Sequence, residues 1–394
     1  MRYLFYALGL SILIGVGVGW WQFAAGTTNN HQQLATNATA FRAPEGNKMD
    51  MAGYARVTGP RPMHFPQDHG AHPDYRIEWW YFTGNLTTAQ GRPFGFELTF
   101  FRFAMAPESV PRASDWATRQ LWVANLAISD IEPQRFHFFK RSERGAVGLA
   151  GAQIDPVRIW IDNWEVRALS KNTLFPAELQ AKQEDSGIDL RLTNDKPLVL
   201  QGDKGYSRKS ADPGNASYYY SYTRLQAQGT LTLAGESYPV SGTAWMDREW
   251  STSSLAADQA GWDWLCLQLD DGRDLMLYRL RQRDGSADPH SAGVLVNKAG
   301  KPHYLKATDF TMTPLRYWRS EATGVTYPVD WAVQVPAEHL DLQVKARMPN
   351  QELDLRVRYW EGAVSASGDD VSGRGYLELT GYGSAGHPGA PTGG

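Results

Sequence analysis

The chain has 394 residues and a net charge of -3, long enough for two or three domains and too neutral for a nucleic-acid surface or a basic membrane-binding face. Its 15 Trp, 38 Gly and 22 Pro suit strands and turns built around ring-lined interiors. A single cysteine, Cys266, excludes an intrachain disulfide. In the run Trp264-Leu265-Cys266-Leu267 it reads as a small buried hydrophobe.

Arg2 precedes an apolar run from Tyr3 to Phe23, with Trp20-Trp21 where interfacial aromatics belong. No Lys or Arg follows until Arg42, so Arg2 is expected on the cytoplasmic side and the remainder outside. Residues 1–23 are therefore a signal anchor, contacting the membrane through residues 4–23, or a signal peptide cleaved after Gly26. Both readings export the body of the chain to the periplasmic side or beyond. Residues 24–58 read as a flexible linker, rich in Asn, Thr, Gln and Ala from Thr27 to Ala40.

His64, Asp68, His69, His72 and Asp74 crowd the next segment. His69 and His72, three apart and near carboxylates, have metal-ligand chemistry. No distant ligand completes the set, so a solvated loop and no metal are expected. Alternation then spells a hairpin. Glu78, Trp80, Phe82 and Leu86 share one face of the first strand. Phe94, Phe96, Leu98, Phe100 and Arg102 share one face of the second. A register centred on the loop, which carries Gln90-Gly91-Arg92-Pro93, sets Trp80 opposite Phe100, Phe82 opposite Leu98 and Glu78 opposite Arg102. A short helix is expected around Thr173 to Ala181. A second hairpin runs from Trp262-Asp263-Trp264 through a two-residue Asp271-Gly272 turn, setting Trp264 opposite Arg279 and Cys266 opposite Leu277. The two hairpins echo each other, as two similar β domains would, or as any two amphipathic hairpins do. Residues 383–394 read as a disordered Gly- and Pro-rich tail. Recurrent short strands make the chain all-β, and sandwiches or barrels are the architectures such strands form.

His72-Pro73-Asp74-Tyr75 followed by Glu78-Trp79-Trp80-Tyr81-Phe82-Thr83-Gly84-Asn85-Leu86 resembles the opening signature of the AttH-like lipocalin family, which includes the carotenoid 1,2-hydratases. Phe100-Phe101-Arg102, Tyr220-Ser221-Tyr222-Thr223-Arg224, Gly242 to Trp250, Gly261 to Trp264, Leu269 to Arg273, Tyr359 to Gly362 and Gly375 to Tyr382 extend the resemblance over Gly59 to Tyr382. It implies two tandem lipocalin-like β barrels, at 59–250 and 251–382, with a junction near Ser251 to Asp258. It implies an apolar small-molecule ligand, isoprenoid- or polyene-like, and either a binding protein beside an ABC-type export system or a cofactor-free hydro-lyase or isomerase. The hydratase-type pattern implies a His at the positions of Arg248 and Asn125. Arginine does not exchange a proton near neutral pH.

Asp247 and Glu249, two apart in an extended segment, project to one face with Trp245. A raised-pKa acid and an ionised partner there would protonate an alkene and activate water, with Trp245 or Trp250 facing the cation. A strand-end salt bridge is the plainer reading of the same pair. Glu78 and Arg102 would orient a polar ligand head or simply close a barrel. Arg224 fits either job, and Trp80, Trp250 and Trp264 complete the expected ligand-binding set. No phosphate-cradling loop, dinucleotide fingerprint or Gly-x-Ser-x-Gly elbow is present, and no cofactor is expected.

Overall fold

The computed structural model describes residues 51–108, 113–253, 255–355 and 358–383. The expected membrane or signal segment, most of the linker and the tail beyond Gly383 lie outside the described residues. Among the described residues the regular structure is β strand, apart from two single 3-10 turns at Gln67–His69 and Pro336–Glu338.

Two antiparallel sheets curl into barrel-like shapes. The first runs, edge to edge, from Arg135–Arg144 through Gln120–Asp130, Pro93–Ala104, Ile77–Thr88, Glu236–Ser251, Ala216–Leu233, Ser186–Asn194, Ala177–Gln183, Trp164–Ala168 and Val157–Ile161 to Ala150–Ile154. The second runs from Pro302–Lys306 through Ala292–Val296, Asp274–Gln282, Gln259–Leu269, Ser372–Thr380, Tyr359–Ser367, Leu340–Ala346 and Thr326–Val335 to Thr311–Arg319. Alternation gives each sheet an inner face. Trp80, Phe82, Phe96, Leu98, Phe100 and Trp122 fill the first barrel. Leu265, Leu277, Trp331, Val333, Trp360 and Leu377 fill the second. Buried apolar side chains line both interiors.

The first hairpin has the register read from the sequence: Glu78 faces Arg102, Trp80 faces Phe100 and Phe82 faces Leu98. The second is shifted by one residue. Trp264 faces Tyr278 and Cys266 faces Met276, while Asp263 faces Arg279. The loop holds three residues, Asp270-Asp271-Gly272, closed by Leu269 N–H to Arg273 O at 2.8 Å. A two-residue type I′ turn needs positive φ at both central positions. Only Gly272 has it, at 90°, which makes this a type I turn followed by a left-handed glycine. The helix expected near Thr173 is also corrected. Ala177–Gln183 is a strand, with Ala177, Leu179 and Ala181 buried and the residues between them less so. That is a period of two, which a helix cannot satisfy.

A third apolar cluster joins the outer faces of the two sheets. Tyr81, Tyr219 and Trp245 of the first meet Trp264, Cys266, Met276, Tyr278 and Tyr376 of the second. Asn85 Nδ2 donates to Gly375 O at 3.0 Å, and Ser129 Oγ to Gln351 Oε1 at 2.6 Å. Outer strand faces that would otherwise meet water are thereby buried.

Candidate functional site

The sequence-predicted residues fall into three places. Glu78, Trp80, Arg102 and Trp250 lie inside the first barrel at one end. Glu78 is fully buried and ion-paired to both Arg102 and Arg248. Arg102 also donates to His72 O at 2.9 Å and Tyr75 O at 2.7 Å. Arg248 lies 3.9 Å over the Trp80 ring, and His72 stacks on Trp250 at 4.0 Å. Burial opposes the charge on Glu78, yet the two guanidiniums and His72 hold its carboxyl well below the ordinary range. Residues 64–74 are solvated in part, with His64, Phe65, Gln67, Pro73 and Asp74 exposed, and in part packed on the barrel end. Asp68 and His69 are buried, His72 Nε2 lies 3.0 Å from Asp68, and His69 Nδ1 lies 2.6 Å from Tyr220 OH. Burial and Arg248 push His69 down to about 3. Arg224 lies elsewhere, beside Asp274, which also takes Lys196 at 2.7 Å. That is a charged clasp between the sheets.

Asp247, Glu249, Trp245 and Trp264 lie between the barrels. The expected shared face of Trp245, Asp247 and Glu249 is the outer face of the first sheet, opposite to Arg248 and Trp250. Asp247 accepts from Tyr219 OH at 2.5 Å, Ser221 Oγ at 2.5 Å and Trp245 Nε1 at 2.7 Å. Burial raises it to about 7 against those three donors. Both of its oxygens therefore lie within hydrogen-bond reach of neighbouring side chains. Glu249 is tied to Lys209 Nζ at 3.0 Å.

Beside them lies a set of acids that the sequence reading did not single out. Glu361 and Glu378 are direct cross-strand partners, on the outer face of the second sheet. Trp264 is the next residue along the same row. Facing them on the first sheet is Glu97. Its placement follows from two contacts that bracket it. A Cβ added at Gly95 would lie 2.7 Å from Ala363 Cβ. Asn125, the partner of Thr99, donates to Tyr359 OH at 2.6 Å. Gly95, Glu97 and Thr99 are successive same-face positions, as are Ala363, Glu361 and Tyr359. Glu97 therefore stands over Glu361.

All three are buried, and among the described residues none forms a salt bridge. Burial raises Glu97 to about 8, against the Thr99 hydroxyl and with the Glu378 charge. Burial likewise raises Glu378 to about 8, helped by Asp247 and Glu249 and opposed by the Trp262 indole 3.0 Å away. Glu361, between the other two, is pushed well above the carboxylate range by burial and by both neighbours. Burial thus favours the protonated form of all three. Glu97 Oε2, Glu361 Oε2, Tyr81 OH and Asn125 Oδ1 are buried without a hydrogen-bond partner. Native interiors pair such atoms almost without exception, so an unpaired group here calls for an explanation. Tyr81 meets the Trp264 ring edge-on at 5.4 Å, and Trp264 meets Trp245 at 6.3 Å. The three rings thus pack edge to face beside the three glutamates, among buried polar atoms that have no partner.

One of the two positions where the hydratase-type pattern implies a His lies here, as Asn125. The other, Arg248, points away into the first barrel. The sequence signal for the three glutamates was an outer face carrying Thr83, Asn85, Glu97 and Thr99 between aromatic strands, too lightly charged for water.

The family model described as AttH-like matches residues 56–382. A crystal structure of an AttH homologue from Nitrosomonas europaea shares 37% identity and superposes with a TM-score of 0.73, covering 83% of this chain and 99% of that one. Kievitone hydratase from Nectria haematococca has the same fold at 14% identity, with a TM-score of 0.60 over 83% of this chain and 95% of that one. No curated protein matches the sequence.

Proposed function

The chain belongs to the AttH-like family, and from that premise we propose that it holds an apolar, unsaturated ligand between its two barrels and adds water across a carbon–carbon double bond. The observation that carries this reading is the facing pair Glu97 and Glu361, buried beside Glu378 without a cation. Glu361 is the proton donor. The alkene π pair forms the new C–H bond, and the O–H pair stays on the Glu361 carboxylate. Water, hydrogen-bonded to Glu97, attacks the resulting cation, and the Glu361 carboxylate takes back the proton that the water loses, which closes the cycle. The likeness to a hydratase agrees with this chemistry, and Tyr81 OH and Asn125 Oδ1, which have no partner, orient the substrate. The apolar run from Tyr3 to Phe23 is the reason to place the protein outside the cytoplasmic membrane, where a neighbouring export system would supply or remove the ligand.

The test is incorporation of labelled oxygen from water into prenylated aromatics and acyclic isoprenoids. Wild-type protein should give a product heavier by one water. Glu361→Gln should lower turnover by roughly 10²–10⁴-fold, the range of a general acid, while Asp247→Asn should chiefly weaken folding. Turnover unaffected by Glu361→Gln and Glu97→Gln overturns the mechanism. Binding without turnover is the second reading. It is favoured by Asn125, which puts an amide in place of a proton-exchanging imidazole, and ligand retention with no labelled product would establish it.

A further inference from the structure

We propose that the second barrel carries a binding site of its own, at the seam where its sheet does not close, for a small apolar monocarboxylate whose head pairs with Arg279. The site is separate from the hydration reading, which concerns the opposite face of this sheet. Pro302–Lys306 and Thr311–Arg319 follow each other in the chain, yet they stand at opposite ends of the strand order, so no ladder joins them. Residues 307–310 cross the gap. A cavity of about 330 Å³ lies there, lined on one side by Ala307, Phe310 and Met312 and on the other by Arg279 and Ser291. That volume is within the range of small-molecule sites. Phe310, Met312 and Ser291 are buried, whereas Ala287 and Thr311 are exposed and mark the rim. Arg279 is the charged residue of the lining.

The charge balance favours an anion. Asp263 is the cross-strand partner of Arg279, but their contact is long, at 3.3 Å. Arg281 and Tyr382 OH, the latter at 2.8 Å, hold Asp263 more closely. Two guanidiniums thus share one carboxylate. Nearby acids are engaged elsewhere. Asp288 accepts from Gln259 Nε2 at 3.0 Å and from the His290 amide at 2.7 Å, and Asp309 accepts from the Lys306 amide at 2.8 Å. The first barrel has a matching set, Glu78 between Arg102 and Arg248, with a different outcome. There the carbonyls of His72 and Tyr75 take Arg102, and that of Gly70 takes Arg248. Protein covers those charges. In the second barrel Arg279 donates to one carbonyl, Gly285 O at 2.5 Å, and a cavity stands beside it. A guanidinium has five N–H donors, enough for a carboxylate as well. Trp331, 6.0 Å beneath, steadies the group. Phe310 and Met312 offer apolar surface to a chain. A neutral head gains only that burial, and an ammonium is repelled by Arg279.

Octanoate, octanol and octylamine share one chain and differ in the head. Titration calorimetry of the full chain at neutral pH ranks them. Octanoate should bind at least about tenfold more tightly than octanol, the contribution of one charge-assisted hydrogen bond, and octylamine should not bind detectably. Arg279→Met keeps an apolar stem and leaves Asp263 with Arg281. It should bring octanoate down to the affinity of octanol and leave octanol unchanged. Ala307→Trp, at a half-buried position, fills the cavity and should abolish binding of both. Thermal melting checks that each variant folds. If Arg279→Met does not, the wild-type ranking and Ala307→Trp decide. Equal binding of octanoate and octanol overturns the inference. So does a carboxylate preference that survives Arg279→Met, because the head is then read elsewhere, and so does octanoate binding that survives Ala307→Trp. If none of the three binds, the cavity is a packing gap and the inference falls. Neither variant touches the glutamates between the barrels, so the labelled-water assay judges the hydration reading separately.

Discussion

Glu78 and Glu361 are the same side chain, both buried, in opposite charge states. Around Glu78 stand Arg102, Arg248 and His72, and the carboxylate is held low. Around Glu361 stand two more acids, and the carboxyl is held high. Burial acts in the same direction on both, so the neighbours decide. Removing one guanidinium should therefore be costly. Arg102→Met leaves Glu78 with Arg248 alone and strands the carbonyls of His72 and Tyr75. The expected loss is about 3–5 kcal/mol, measured by urea unfolding. The sign with pH follows. A depressed carboxyl contributes stability above its ordinary value of 4.5, and that contribution disappears as pH falls below it. The Glu78–Arg102 pair was legible in the sequence because a single local hairpin fixes it. Arg248 was not, because it arrives on a strand more than a hundred residues later.

At the scale of elements, both long hairpins end in a three-residue loop whose last member is a left-handed glycine. Gly91 has φ 91° and Gly272 φ 90°. In each the glycine N–H returns to the residue before the loop, Thr88 at 2.9 Å and Leu269 at 3.1 Å. The one-residue slip in the second register came from reading Asp-Gly as a two-residue turn, when Asp270 joins the loop too. Nothing near Gly91 obstructs a Cβ, whereas one on Gly375 would lie 1.8 Å from Cys266 O. Gly91→Ala should cost only the left-handed backbone penalty, about 1–2 kcal/mol. Gly375→Ala must push apart Gln259–Leu269 and Ser372–Thr380 and should cost more, about 3 kcal/mol. Parallel denaturant melts compare them directly, and an equal loss would contradict the close approach at Gly375. The edges are legible as well. Arg135–Arg144 carries four arginines or lysines by its end, and Thr311–Arg319 contains Pro314 and two register irregularities. Both devices discourage further strand pairing.

At the scale of the whole molecule, the two curled sheets were readable from alternation and motif, and their meeting was not. Period-two patterning tells one face of a strand from the other, but it does not say that a second sheet will cover the outer face. Glu97 lies on the face away from Phe96 and Leu98, and it is buried because the second sheet, with Glu361, stands across from it. That burial has a measurable consequence in the pH dependence of stability. Glu97 and Glu378 rise to about 8, Asp247 to about 7, and Glu361 rises in the same direction. Each binds a proton in the folded protein that the unfolded chain has already released above its ordinary carboxyl value. Stability from these groups is complete below that value and is lost as pH rises through the folded one, at about 1.4 kcal/mol per pH unit for each proton held. His69 works the other way. Burial lowers it to about 3 from 6.5, so its contribution is complete above 6.5 and falls away in acid. Between pH 4.5 and 6.5 the two effects oppose each other. From pH 6.5 to 8 the acids act without that opposition, so the free energy of unfolding should fall steadily across this window. The Glu361→Gln/Glu378→Gln double variant no longer has those two protons to lose and should show a much flatter profile. Urea melts at half-unit steps from pH 6.5 to 8 make the comparison. An identical slope in wild type and variant would mean that these glutamates are already ionised in the folded protein.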